Sequence, residues 1–120
     1  MTPFRQILKR AVEATPGAIG GAFADSEGEM VDSYAIIDAH EWAVLTAHYG
    51  VVFAQLHAAF SLWHYGAPEY FMLQHQKLGV VVHAVEGGYY ALIAVSDPAR
   101  VQYALTALSQ TVPELQREMA

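Results

Sequence analysis

Apolar residues recur at helical spacing from Pro3 to Ala14. Phe4, Ile7, Leu8 and Ala11 share one face, while Arg5, Lys9 and Arg10 point elsewhere. Thr15-Pro16-Gly17 ends that helix. Ala18 to Ala24 then reads as a strand of small residues, in which Gly20-Gly21 lets another backbone come close. The polar turn Asp25-Ser26-Glu27-Gly28 joins it to a second strand, Glu29 to Ala35. A long helix opens at Asp38 or His40 and runs to about His64, where Tyr65-Gly66-Ala67-Pro68 stops it. Three strands follow at short spacing: Glu69–Gln76, Val80–Val85 and Tyr89–Val95. Ser96-Asp97-Pro98 starts a last helix from Ala99 to about Gln110, with a short terminal turn after Pro113. The order α-β-β-α-β-β-β-α predicts an α/β (α+β) fold, an antiparallel sheet with helices on both faces.

The long helix differs on its two sides. Trp42, Leu45, Tyr49, Val52, Phe53, Leu56, Phe60 and Trp63 form a broad bulky face suited to lie on the sheet. Opposite them run Ala43, Ala47, Val51, Ala54, Ala58 and Ser61, a stripe of small uncharged residues. A water-facing stripe would normally carry Glu, Lys and Arg, whereas small residues let a second helix pack closely. An exposed alanine face chosen for helix propensity is the competing explanation. The stripe reads as a contact face, and Ala54→Glu is expected to disrupt it. In the next strand Tyr70-Phe71-Met72-Leu73 is apolar on both faces, so both should be covered. As an edge strand it would be a pairing template for a second copy, with Tyr70 and Met72 in the contact.

Composition sharpens this pattern. The 120 residues suit one domain spanning residues 1–120, and 54% are hydrophobic against 15% charged. The deficit is local: from Trp42 to Pro68 there is no Asp, Glu, Lys or Arg. Those 27 residues are long enough for a membrane span, but His48, Gln55, His57, His64, Gly50 and Gly66 interrupt them and acidic residues flank them. A buried helix and no membrane span are expected. A net charge of −6 with six Lys plus Arg argues against nucleic acid. Without cysteine there is no disulfide framework, and the amphipathic N-terminus lacks a signal peptide's apolar core, so a cytoplasmic protein is expected.

Candidate chemistry is sparse. The histidines at 40, 48, 57, 64, 75 and 83 include no i, i+4 pair, and His57 and His64 are two turns apart, so no metal site is expected. Asp25, Glu27, Glu29 and Asp32 suit a solvated turn better than a calcium loop. Gly20-Gly21 and Gly87-Gly88 lack a phosphate loop's lysine, and no serine sits in a nucleophile elbow. No catalytic residue and no cofactor is expected.

The run Pro16-Gly17-Ala18-Ile19-Gly20-Gly21-Ala22-Phe23-Ala24-Asp25-Ser26-Glu27-Gly28, and Tyr90-Ala91-Leu92-Ile93-Ala94-Val95 before a capped helix, resemble the Roadblock (dynein light-chain-like) family, relatives of profilin-shaped domains. The resemblance spans about residues 4 to 110. It implies a five-stranded antiparallel sheet with the first and last helices on one face and the central helix on the other. It also implies a homodimer through third strands and central helices, with no catalytic residues. Members bind and regulate small Ras-like GTPases or serve as scaffolds, and bacterial relatives act on a polarity or gliding-motility GTPase. Many relatives carry charge on the outer central helix, which this chain lacks. A different class, a small-ligand sensor with a pocket lined by Tyr49, Phe53, Phe60 and Trp63, is the alternative.

Overall fold

The computed structural model describes residues 2–120. Its elements are α1 (Pro3–Glu13), β1 (Ala18–Ala24), β2 (Met30–Ala35), α2 (Ala39–Phe60), β3 (Tyr70–Gln74), β4 (Gly79–Val85), β5 (Tyr89–Val95) and α3 (Val101–Met119). The five strands form one antiparallel sheet in the order β2-β1-β5-β4-β3. β5 is therefore central, and β2 and β3 are the edges.

Local chemistry sets the helix starts. The Thr2 hydroxyl accepts from Arg5 N at 3.1 Å, with Pro3 in the first turn of α1. Asp38 accepts from Glu41 N at 3.0 Å to cap α2. Asp97 accepts from Ala99 N at 3.0 Å before α3.

Two cores lie on opposite faces of the sheet. On one, α1 and α3 bury Leu8, Val12, Leu105, Leu108 and Leu115 against Phe23, Val81, Ile93 and Val95. On the other, Trp42, Tyr49 and Phe53 of α2 pack on Ala22, Val80, Val82, Tyr90 and Leu92. Gly20 and Gly21 serve the two faces in turn. A Cβ on Gly20 would lie 2.9 Å from Trp42 Cζ2, and one on Gly21 would lie 3.1 Å from Val12 Cγ2. The close approach expected of another backbone is made instead by side chains, the Trp42 ring of α2 on one face and Val12 of α1 on the other.

Three local expectations change. α2 ends at Phe60, not His64, and Ser61 is its C-cap. Beyond that point residues 61–67 are all exposed, Leu62 at 97%. With nothing to bury, further helix gains no packing energy. α3 runs through Pro113 to Met119 instead of ending near Gln110. Leu108, Thr111, Val112 and Leu115 stay buried along it while Pro113 faces outward, so burial outweighs the lost N–H. β3 is exposed along most of its length instead of being covered on both faces.

Tyr90 couples the sheet to α2. Its hydroxyl donates to Thr46 O at 3.4 Å and lies where a Cβ on Gly50 would clash, at 2.3 Å. Burial, and then the Asp25 carboxylate, hold the Tyr90 phenol above its usual value near 10; burial does the same for Tyr49. The folded state keeps these protons to higher pH than the unfolded chain does. Their stabilisation is therefore complete below pH 10 and is lost as pH rises above it. A melting series from pH 8 to 11.5 should show Tm falling above pH 10, with a shallower fall in Tyr90→Phe. An equal slope in that variant would contradict this assignment.

Candidate interaction surface

Trp42, Thr46, Tyr49, Gly50 and Phe53 form the buried seam of α2. Their spacing of 4, 3, 1 and 3 residues is that of one helical stripe. By length and composition α2 could cross a bilayer, yet this seam lies on the sheet. The bulky face expected from sequence is graded. Leu45, Val52, Leu56 and Phe60 are half-buried, and Trp63 is exposed.

The rest of α2 is uncharged from Trp42 onward and splits into two sides. Leu45, His48, Val51 and Val52 turn towards β3 and line an open groove of about 680 Å³ with Leu73, His75, Lys77 and Leu78. Ala43, Ala47, Ala54 and Ala58 are all exposed and lie roughly 120° round the axis from the mean direction of those four. Val51, 59% exposed, borders the groove at the edge of this stripe, and Ser61 is exposed at the end of the helix. The stripe read as one contact face therefore has two directions. Ala54 does not line the groove, so Val51 and not Ala54 is the position that tests a contact there.

β3 completes the surface. Its register with β4 pairs Phe71 with Val82 and Leu73 with Val80, which belong to the α2-side core. Phe71 and Leu73 therefore share the α2 face. Tyr70 and Met72, 45% and 39% exposed, lie on the α1/α3 face, where Tyr70 stacks on His83 at 5.9 Å. These two predicted residues are thus brought to the free edge by their backbone, while their side chains point away from the α2 stripe. Among the described residues, eight of the eleven exposed large hydrophobic side chains fall between Val44 and Leu73. Sequence reasoning missed Leu73, His75 and Leu78 as groove residues. Strand alternation from Tyr70 could have found Leu73.

A pocket shared by Tyr49, Phe53, Phe60 and Trp63 does not form. Tyr49 and Phe53 are core residues, whereas Phe60 and Trp63 meet edge-to-face, with ring centroids 5.0 Å apart, at the end of α2. Between Phe53, Leu56 and Phe71 the packing leaves no water-sized space. The histidines act singly: His57 lies against Phe53, His75 hydrogen-bonds Tyr49 Oη, and His48 Nδ1 is 2.8 Å from Val44 O. Asp25 accepts from Glu27 N and Glu29 N within its own turn, at 2.9 and 3.0 Å. Arg100 is paired with Asp97 at 3.7 Å beside α3.

The fold is the profilin-like Roadblock fold, with α1 and α3 on one face and α2 on the other. No protein-family model matches the chain, and no curated protein matches it by sequence. Solved structures do. MglB of Myxococcus xanthus is similar at a TM-score of 0.84 and 11% identity, covering 99% of this chain and 96% of that one. A Roadblock/LC7 domain from Streptomyces avermitilis has a TM-score of 0.82 at 10% identity, covering 95% of each chain. An MglB in a tetrameric arrangement has a TM-score of 0.76 at 16% identity, covering 93% of this chain and 84% of that one. At these identities the likeness establishes the fold.

Proposed function

We propose that this chain is a homodimeric, non-catalytic regulator or scaffold that binds a small Ras-like GTPase in the cytoplasm. The observation that carries this reading is the two-sided uncharged surface of α2 beside a free sheet edge. An edge strand with unpaired backbone groups is a pairing template, and a second copy would cover the apolar groove at the same time. The stripe Ala43, Ala47, Ala54 and Ala58 would then stay uncovered on each central helix as a charge-free surface for a partner. The fold's resemblance to Roadblock proteins supplies the kind of partner. α2 carries no arginine, and Arg100 sits on the opposite face. Any acceleration of GTP hydrolysis would therefore act by positioning the GTPase's own residues.

The purified protein, immobilised and incubated with native lysate, should retain a Ras-like GTPase that binds the purified chain again in a direct assay. Ala54→Glu should lower that binding at least tenfold while leaving the oligomeric mass unchanged. Recovery of no GTPase in either nucleotide state would leave scaffolding alone.

A further inference from the structure

We propose that residues 61–67, the segment joining α2 to β3, rest in the interfacial layer of a zwitterionic lipid surface, with Leu62, Trp63 and Tyr65 as the inserting side chains. This inference goes beyond the partner binding proposed above and does not depend on it.

The segment is exposed throughout, and its most exposed side chains are apolar or aromatic. Leu62 is 97% exposed, Tyr65 80% and Trp63 55%. None of residues 61–67 lines the groove beside β3. None carries a formal charge; the next carboxylate along the chain is Glu69, and no Lys or Arg occurs between Arg10 and Lys77. Trp and Tyr are the side chains that concentrate at membrane–water interfaces, because each joins an apolar ring to one polar group.

The segment is already arranged for a water-poor surrounding. Its rings pack on one another: centroids lie 5.0 Å apart for Phe60 and Trp63, 6.2 Å for Trp63 and Tyr65, and 4.2 Å for His64 and Tyr65. Side chains held in place beforehand have less rotamer freedom to lose on binding. Its backbone donors are also occupied. Ser61 N donates to His57 O at 2.9 Å, Trp63 N to Phe60 O at 3.1 Å and Gly66 N to Trp63 O at 3.0 Å, and Pro68 has no N–H. Donors with internal partners lose little when water is displaced.

Size and charge select lipid as the occupant. Leu62, Trp63 and Tyr65 offer three side chains of at most roughly 250 Å² each, which falls below the roughly 800 Å² per partner of a stable protein–protein contact. A bilayer interface sets no such minimum, because apolar side chains partition into it in proportion to the area they bury. The net charge of −6 opposes an anionic headgroup layer, and the segment has no cation to offset that repulsion. An electrically neutral phosphocholine surface is the one that matches an uncharged segment on an acidic chain.

The two tryptophans make the test selective, since Trp42 is 1% exposed and Trp63 is 55% exposed. Titrating the full chain with phosphatidylcholine vesicles should move its fluorescence emission to shorter wavelength, and the protein should float with the vesicles. Half-saturation is expected at about 0.1–1 mM lipid, no tighter than a single myristoyl chain provides. Trp63→Phe should abolish the shift and still float. Leu62→Glu, at a solvated position, should keep the parent's Tm and lower partitioning at least about tenfold. Replacing part of the phosphatidylcholine by phosphatidylserine should weaken binding of the parent chain. Absence of both shift and flotation over that lipid range would overturn the proposal, as would unchanged partitioning of Leu62→Glu or tighter binding to the anionic vesicles. A shift that grows with protein concentration in the absence of lipid would place a second copy over the segment and would equally overturn it.

Discussion

Val51→Glu should leave a folded monomer of about 13.1 kDa under conditions where light scattering gives the parent chain twice that mass. Val51 is 59% exposed in the single chain, so a glutamate there is solvated and fits a helix well. The fold should be untouched, with Tm within a few degrees once self-association is allowed for. In the dimer the same carboxylate enters the apolar groove, and by symmetry it does so twice. Taking a charge out of water costs several kcal/mol after relaxation, and attraction to a groove cation such as Lys77 repays only part of it. With each 1.4 kcal/mol worth tenfold in affinity, the dissociation constant should rise at least about 100-fold. A variant that keeps the dimeric mass would place the contact somewhere other than this groove. Ala54→Glu provides the contrast, since its side chain points away and should change partner binding instead.

Trp42→Ala should give the largest loss of stability, about 3–5 kcal/mol. Trp42 is 1% exposed and lies directly over Gly20, where no other residue leaves room for it. Its removal opens a cavity that the sheet cannot close, because the Gly20 backbone is held in pairs with Ala35 and Ala94. Against a total of about 5–15 kcal/mol for a domain of this size, most of the margin would go. Denaturant unfolding should show the midpoint falling with little change in slope. A loss below about 1 kcal/mol would mean that α2 is held mainly by Tyr49 and Phe53.

Much of the architecture was legible because it rests on short-range signals. The two glycines at 20 and 21, the caps at Asp38 and Asp97, and the β-branched run at Val80 each act within a few residues. The helix ends were less legible. Whether α2 continues past Phe60 depends on whether sheet lies beneath it, and whether α3 survives Pro113 depends on Leu115 finding a core. Both are decided by distant packing.

The candidate surface divides in the same way. A 27-residue stretch without charge, bulky on one side and small on the other, is a property of the chain alone. Spacing around a helix marks which residues share a face, and Ala43, Ala47, Ala54 and Ala58, read as a contact face, do share one that lies off the sheet. It carries no information about what each face looks at. The position of β3 at the sheet edge, and the open groove between it and α2, come from strand order and packing. So does the parity that turns the Tyr70, Met72 and Gln74 backbones outward while sending the Tyr70 and Met72 side chains to the opposite face. Element order, the missing charge and the two characters of the central helix follow from composition and periodicity, which are local. Which of those faces borders the open edge depends on contacts between segments far apart in the chain, and so on the folded arrangement.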